Sequence, residues 1–202
     1  MNKKFIFIVI FTIAIVLWIA QTPQVSFRIA HYYSQHGKHE QAIKVYKRAF
    51  QSGSTRDSKE AITNLVQDYI QWVKPMLQEG NNAFRQGEFE KEKSIYAQII
   101  NIYEDYQQTF GRYQFDETLT KDWRQVAKEA YVRLADIHHQ KGEWEEAFKD
   151  YREALLIFPS SPEIIKVLIE FHYTDRLLEL GDLSGAQFVH EKALEFHLSP
   201  NP

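Results

Sequence analysis

No cysteine occurs in the 202-residue chain. That absence excludes disulfides, zinc thiolates and thiol nucleophiles together, and it suits an oxidising compartment. Glycine and proline are scarce, at eight and six residues, and most of them stand at boundaries. So few turn formers point to an all-helical fold. An excess of one charge is also lacking. Acids and bases are interspersed and the formal net charge is −3, so there is no basic footprint for nucleic acid. Enzyme motifs are missing as well: no phosphate-cradling glycine loop, no G-x-S-x-G, no H-E-x-x-H and no zinc deaminase signature. No catalytic residue and no cofactor site is expected.

What the chain does have is 44% hydrophobic and 14% aromatic residues, enough for one domain of ordinary size plus a tail. The most informative stretch is residues 128–161. Tyr131, Leu134, Ala135 and His138 recur at three- and four-residue steps, which places them on one helix face. Gly142 ends that helix, and Glu143, Glu145 and Glu146 put negative charge on the first turn of the next, where the dipole favours it. Trp144, Ala147, Phe148, Tyr151 and Ala154 form the answering stripe, and Pro159 and Pro162 bracket the stop. Small residues let the two helices approach closely, while the rings fill the space around them.

This helix–turn–helix resembles a tetratricopeptide repeat. Tyr131, Leu134-Ala135, Gly142, Ala147, Tyr151, Ala154 and Pro159 fall in the family's register, and His138 stands where an aromatic residue is usual. Residues 23–56 resemble a second repeat through Ile29, Ala30, Tyr33, Gly37, Ala42, Tyr46 and Ala49, although Ser26 and Ser54 miss two of its positions. Thr22-Pro23 reads as the start of its first helix.

The middle departs from that pattern. An apolar stripe runs through Ile62, Leu65, Val66, Tyr69, Ile70, Val73, Met76, Leu77 and Phe84, with Pro75 inside it, so the helix is expected to kink or split there. After Gly87 a second long stripe runs through Ile95, Tyr96, Ile99, Ile100, Tyr103, Tyr106 and Phe110, with Glu92 where the family has a small residue. Residues 57–110 thus read as a degenerate, elongated hairpin. It would serve as a second binding surface or as a homo-oligomerisation arm. Residues 111–121 read as a loop capped by Thr120 or Asp122, and 162–200 as a terminal hairpin whose first helix runs from Pro162 to Leu180. There Gly181, Ala186 and Ala193 keep the frame and His190 replaces an aromatic residue. The fold class expected is an all-α solenoid of about four hairpins with a continuous core.

The resemblance implies a concave groove lined by first-helix residues that holds a peptide segment or helix of a partner protein. In register these are Phe27, Arg28 and His31, then Val132, Arg133, Asp136 and His139, then Phe171, His172 and Asp175. The family branch that clamps chaperone tails needs Lys and Asn at some of these positions, and this chain has neither there. The histidines carry no metal motif. His31, His36 and His39 lack an acid at ligand spacing beyond Glu40, and His138 and His139 point about 100° apart on a helix, so no metal site is expected.

Residues 1–22 have a different character. Lys3 and Lys4 precede an apolar run from Phe5 to Ala20 that spans about 24 Å as a helix, near the lower limit for crossing a bilayer. Cleavage after Ala20 would put bulky Trp18 at the third site before the cut, and cleavage after Thr22 would put Pro23 just beyond it. An uncleaved signal anchor is therefore expected, with Trp18 at the interface. Lys3 and Lys4 keep the N-terminus cytoplasmic and send the remainder outward, to the periplasm of a bacterium. Residues 5–20 would then hold a scaffold at the outer face of the inner membrane, where its partner is an envelope protein. The alternative is a cleaved, soluble periplasmic carrier or chaperone for exported chains.

Overall fold

Residues 23–51, 59–111 and 117–198 are described by a computed structural model, and all regular structure among them is helical. The helices are α1 (Pro23–Gln35), α2 (His39–Gln51), α3 (Lys59–Gln86), α4 (Phe89–Phe110), α5 (Glu117–Gln140), α6 (Trp144–Ile157), α7 (Pro162–Glu170), α8 (Tyr173–Glu179) and α9 (Leu183–Leu198). The apolar run 5–20 lies outside the described residues. Among those described, no helix is long and apolar enough to cross a membrane.

The turns fall where the sequence places them. Gly37, Gly87, Gly142 and Gly181 all have φ between 69° and 81°. At Gly142 the left-handed residue lets its own N–H reach the His139 carbonyl at 3.0 Å and the Glu143 N–H reach that of His138 at 2.9 Å, which closes the helix end.

The helices sort into two compact units. Among the described residues, the first joins α1, α2 and α3 as far as Pro75 with those of Asp105–Trp123, and the second joins Met76–Glu104 with α5 from Arg124 and the helices after it. In the first, Ala30, Ala42 and Ala49 are buried and allow α1 and α2 to approach closely. Phe27 fills the space beside them, 5.7 Å from the Tyr46 ring and 6.1 Å from Phe50. Tyr69 stacks on Trp123 at 5.3 Å and meets Tyr106 edge-on at the same distance. Lys47 pairs with Asp105 across α2 and α4.

In the second unit, Tyr131, Leu134 and Ala135 of α5 are buried, as are Ala147, Phe148, Tyr151 and Ala154 of α6. Tyr173 adds a fully buried ring, edge-on to Tyr151 at 5.9 Å. Lys128 secures the proline turn after α6 by an ion pair of 2.7 Å to Glu163. Hydrogen bonding from that ammonium is the main reason the Glu163 carboxyl falls to about 2.

Several expectations need correction. Pro75 does not split its helix: α3 is one helix of 28 residues with the proline exposed within it. Solvent can satisfy the carbonyl that the missing N–H leaves. Phe84 is not core, being 46% exposed. α5 starts at Glu117, so Thr120 lies inside it and neither Thr120 nor Asp122 is its cap. The helix expected from Pro162 to Leu180 is two, broken at His172, which takes a left-handed φ of 53°. Arg176 Nε donates to the Phe171 carbonyl at 3.2 Å across the break.

Gly185 offers a direct test of the packing. The Asp182 carboxylate accepts from the Gly185 N–H at 2.9 Å and so caps α9. A Cβ on Gly185 would collide with Asp182 Oδ2 and lie 2.8 Å from Phe148 Cε1. Gly185→Ala is therefore expected to cost about 1–3 kcal/mol despite its higher helix propensity. Equal or greater stability in urea unfolding would show that the cap and ring move aside freely.

Candidate functional site

In the first unit, the three predicted residues of α1 share one pocket. Phe27, Arg28 and His31 line about 250 Å³ together with Tyr46, Glu60, Ala61 and Asn64. Positions 27, 28 and 31 fall on one helix face by the three- and four-residue rule. Arg28 and His31 are exposed and Phe27 is half-buried, so the pocket has an apolar floor and a charged rim. Burial pushes the Tyr46 hydroxyl up to about 12, helped by the Asp68 charge.

The histidines of this unit have separate partners. Gln35 donates to His31 at 2.9 Å, His36 Nδ1 donates to the Tyr32 carbonyl at 2.7 Å, and His39 Nδ1 lies 2.7 Å from Asp68 Oδ1. The acid that the local sequence does not offer His39 thus comes from α3. Burial raises the Asp68 carboxyl, while hydrogen bonds from His39 and Ser34 oppose the rise. Among the described residues, no group of three or more His, Asp or Glu could hold a metal ion.

In the second unit the predicted residues fall into two clusters. Arg133 and Asp136 line a cavity of about 80 Å³ with Phe84, Phe89, Glu92, Ile137 and Gln140. The Arg133 guanidinium lies 5.5 Å over the Phe84 ring. Tyr151 donates to Asp136 at 2.6 Å. Burial raises both the Asp136 and Glu92 carboxyls, and Arg133 lowers both in part. Val132 is half-buried beside them on α5 but is not in the lining.

His139 and Phe171 belong to the other cluster. The His139 ring meets Phe171 edge-on at 4.3 Å and Trp144 at 4.7 Å, and its Nδ1 lies 2.9 Å from the Tyr173 hydroxyl. Arg176 covers the Trp144 face at 3.8 Å. Burial lowers the His139 pKa. His172 and Asp175 are exposed at the α8 start, 3.9 Å apart.

Sequence reasoning missed Phe84, Phe89 and Glu92 as site residues. The one signal was Glu92 at a position where the family has a small residue, read there as decay of the repeat.

The tetratricopeptide repeat family matches at residues 128–161, and again, through a second profile of that family, at 23–52. Two segments of the chain thus match tetratricopeptide repeats. The matched segments are α5–α6 from Lys128 and α1–α2, the two hairpins whose small and aromatic positions were in register. No curated protein sequence matches the chain. Among solved structures, it is similar to "MamA 41-end" from Desulfovibrio magneticus RS-1, with 13% identity over 89% of this chain and 97% of that one, at a TM-score of 0.29. A "MamA RS-1 ArsTM double mutant" is similar at 11% identity over 89% and 96%, again at 0.29. The matched repeats support a protein–protein interaction scaffold.

Proposed function

We propose that the chain is a membrane-anchored scaffold that binds a segment of an envelope protein at the periplasmic face of a bacterial inner membrane. The observation that carries the binding role is that first-helix residues chosen from repeat register alone line concavities in each unit: Phe27, Arg28 and His31 in one, Arg133 and Asp136 in the other. A half-buried aromatic residue beside exposed charge suits an anchor-and-rim mode of peptide binding. The chain acts by binding rather than by catalysis. The anchor rests on the apolar run 5–20, and its orientation on Lys3 and Lys4. Tethering would raise the partner's effective concentration, so modest pockets suffice.

In-cell photo-crosslinking tests this reading, with probes at Arg28 and Gln140 and a comparison probe at the exposed Lys149 on α6. Discrete protein adducts are expected from the first two. Adducts from Lys149 alone would move the working surface elsewhere. Carbonate extraction addresses the anchor: the full-length chain should stay with the membrane, whereas a shortened chain released to the soluble fraction would favour the cleaved carrier.

A further inference from the structure

The small cavity of the second unit is lined by α3 (Phe84), α4 (Phe89, Glu92) and α5 (Arg133, Asp136, Ile137, Gln140). Glu92 is 2% exposed, yet its Oε2 is buried without a hydrogen-bond partner. A buried carboxylate oxygen without a partner is costly, and interiors rarely keep one without a reason. Asp136 adds a second carboxylate, one oxygen of which accepts from Tyr151. Arg133 is the one cation in this lining, so two carboxylates face a single positive charge. With both ionised, negative charge in this lining exceeds positive by one. The mouth is aromatic, with Phe84 46% and Phe89 44% exposed. Burial holds both carboxyls above their ordinary range, while Arg133 opposes the rise at both and His139 opposes it at Asp136.

Resting on the scaffold reading above, we infer that this cavity receives the cationic end of one lysine or arginine side chain from the bound partner. Its carboxylates would pair with the incoming charge, and the two phenylalanine rings would flank the stem. Aromatic faces attract cations, and long basic side chains lay their methylenes on apolar surface. The volume, about 80 Å³, suits the end of a side chain and not a folded element. Arg133, held over Phe84, occupies one half of the same chemistry and so competes with the guest.

The test uses the isotopically labelled full chain in detergent micelles, titrated with N-acetyl-lysine methylamide and followed by backbone amide shifts. Saturable shifts are expected at residues 89–92 and 133–140. The uncharged norleucine analogue should bind at least about tenfold more weakly, as should the lysine probe to Glu92→Gln, because each removes one partner of a buried charge pair. Arg133→Gln separates binding from architecture: loss of the competing cation should tighten the lysine probe several-fold, and unchanged or weaker binding overturns the inference. Equal binding of lysine and norleucine probes overturns the inference, and so does the absence of shifts at these residues. If Arg28 still crosslinks a protein in that case, the scaffold reading survives and only the basic-side-chain assignment falls. If neither probe nor crosslink is seen, both fall.

Discussion

Trp123→Ala is expected to cost about 3–5 kcal/mol, which is comparable to the whole stability of an ordinary domain. Trp123 is completely buried. It stacks on Tyr69 at 5.3 Å with 24° between the planes, and it meets Tyr106 edge-on at 6.2 Å. Truncation would leave a large void bounded by two aromatic rings that are themselves almost wholly buried, so the walls have little freedom to collapse. Trp123→Phe keeps a ring in the stack and should lose less than half as much. Urea unfolding followed by far-ultraviolet circular dichroism measures both. An alanine variant within about 1 kcal/mol of the parent would show that α5 is not anchored at this point.

The second large effect concerns a buried polar pair in the matched repeat. His138 Nδ1 lies 3.1 Å from Asp150 Oδ2, with the side chains only 9% and 11% exposed. Neither atom has a well-formed hydrogen bond. Burial is the main cause that pushes the Asp150 carboxyl up to about 7 and the His138 ring down, so both groups are driven toward their neutral forms. The sign for Asp150 follows from its raised value. Its contribution to stability is fully present below about 3.8, its ordinary value, and is lost as pH rises to about 7. His138 acts in the opposite sense, since a depressed imidazole contributes stability above its ordinary value of 6.5 and loses it as pH falls.

Asp150→Asn isolates the acid. The asparagine amide can donate to neutral His138 as the protonated acid would, without acquiring charge. A shift of this size corresponds to about 4 kcal/mol at 1.36 kcal/mol per unit, and relaxation around the ion reduces that to about 1–3 kcal/mol. The variant should therefore gain on the parent steadily between pH 4 and pH 8, with the largest advantage at the alkaline end. Parallel stability curves for the two proteins over that range would sink the argument.

The repeats were legible because their determinants are local. A glycine at each turn and small or aromatic residues at three- and four-residue steps fix the hairpins of α1–α2 and α5–α6 without reference to the rest of the chain. The break at His172 was not legible, for neither Phe171 nor His172 is a helix breaker. It depends on packing around the buried Tyr173 and on the Arg176 contact to the Phe171 carbonyl. The same limit applies to the polar partners. His39 finds Asp68 on α3, and Glu92 meets Arg133 and Asp136 from a helix that begins well beyond it in the chain. Glu92 stood out as a misfit, but only the fold shows what it faces.

Pro75 has a consequence for how the molecule comes apart. The helix around it lacks one donor, so the Gln71 carbonyl is left to water on an exposed face. The boundary between the two compact units falls immediately after this residue. A backbone ladder with a missing rung at such a boundary is a seam in cooperativity. Repeat arrays unfold as coupled segments rather than as one block when neighbouring segments differ enough in stability. A variant such as Trp123→Ala weakens the first unit and leaves the packing of the second as it was. Its loss of stability should then fall on the first unit before the second.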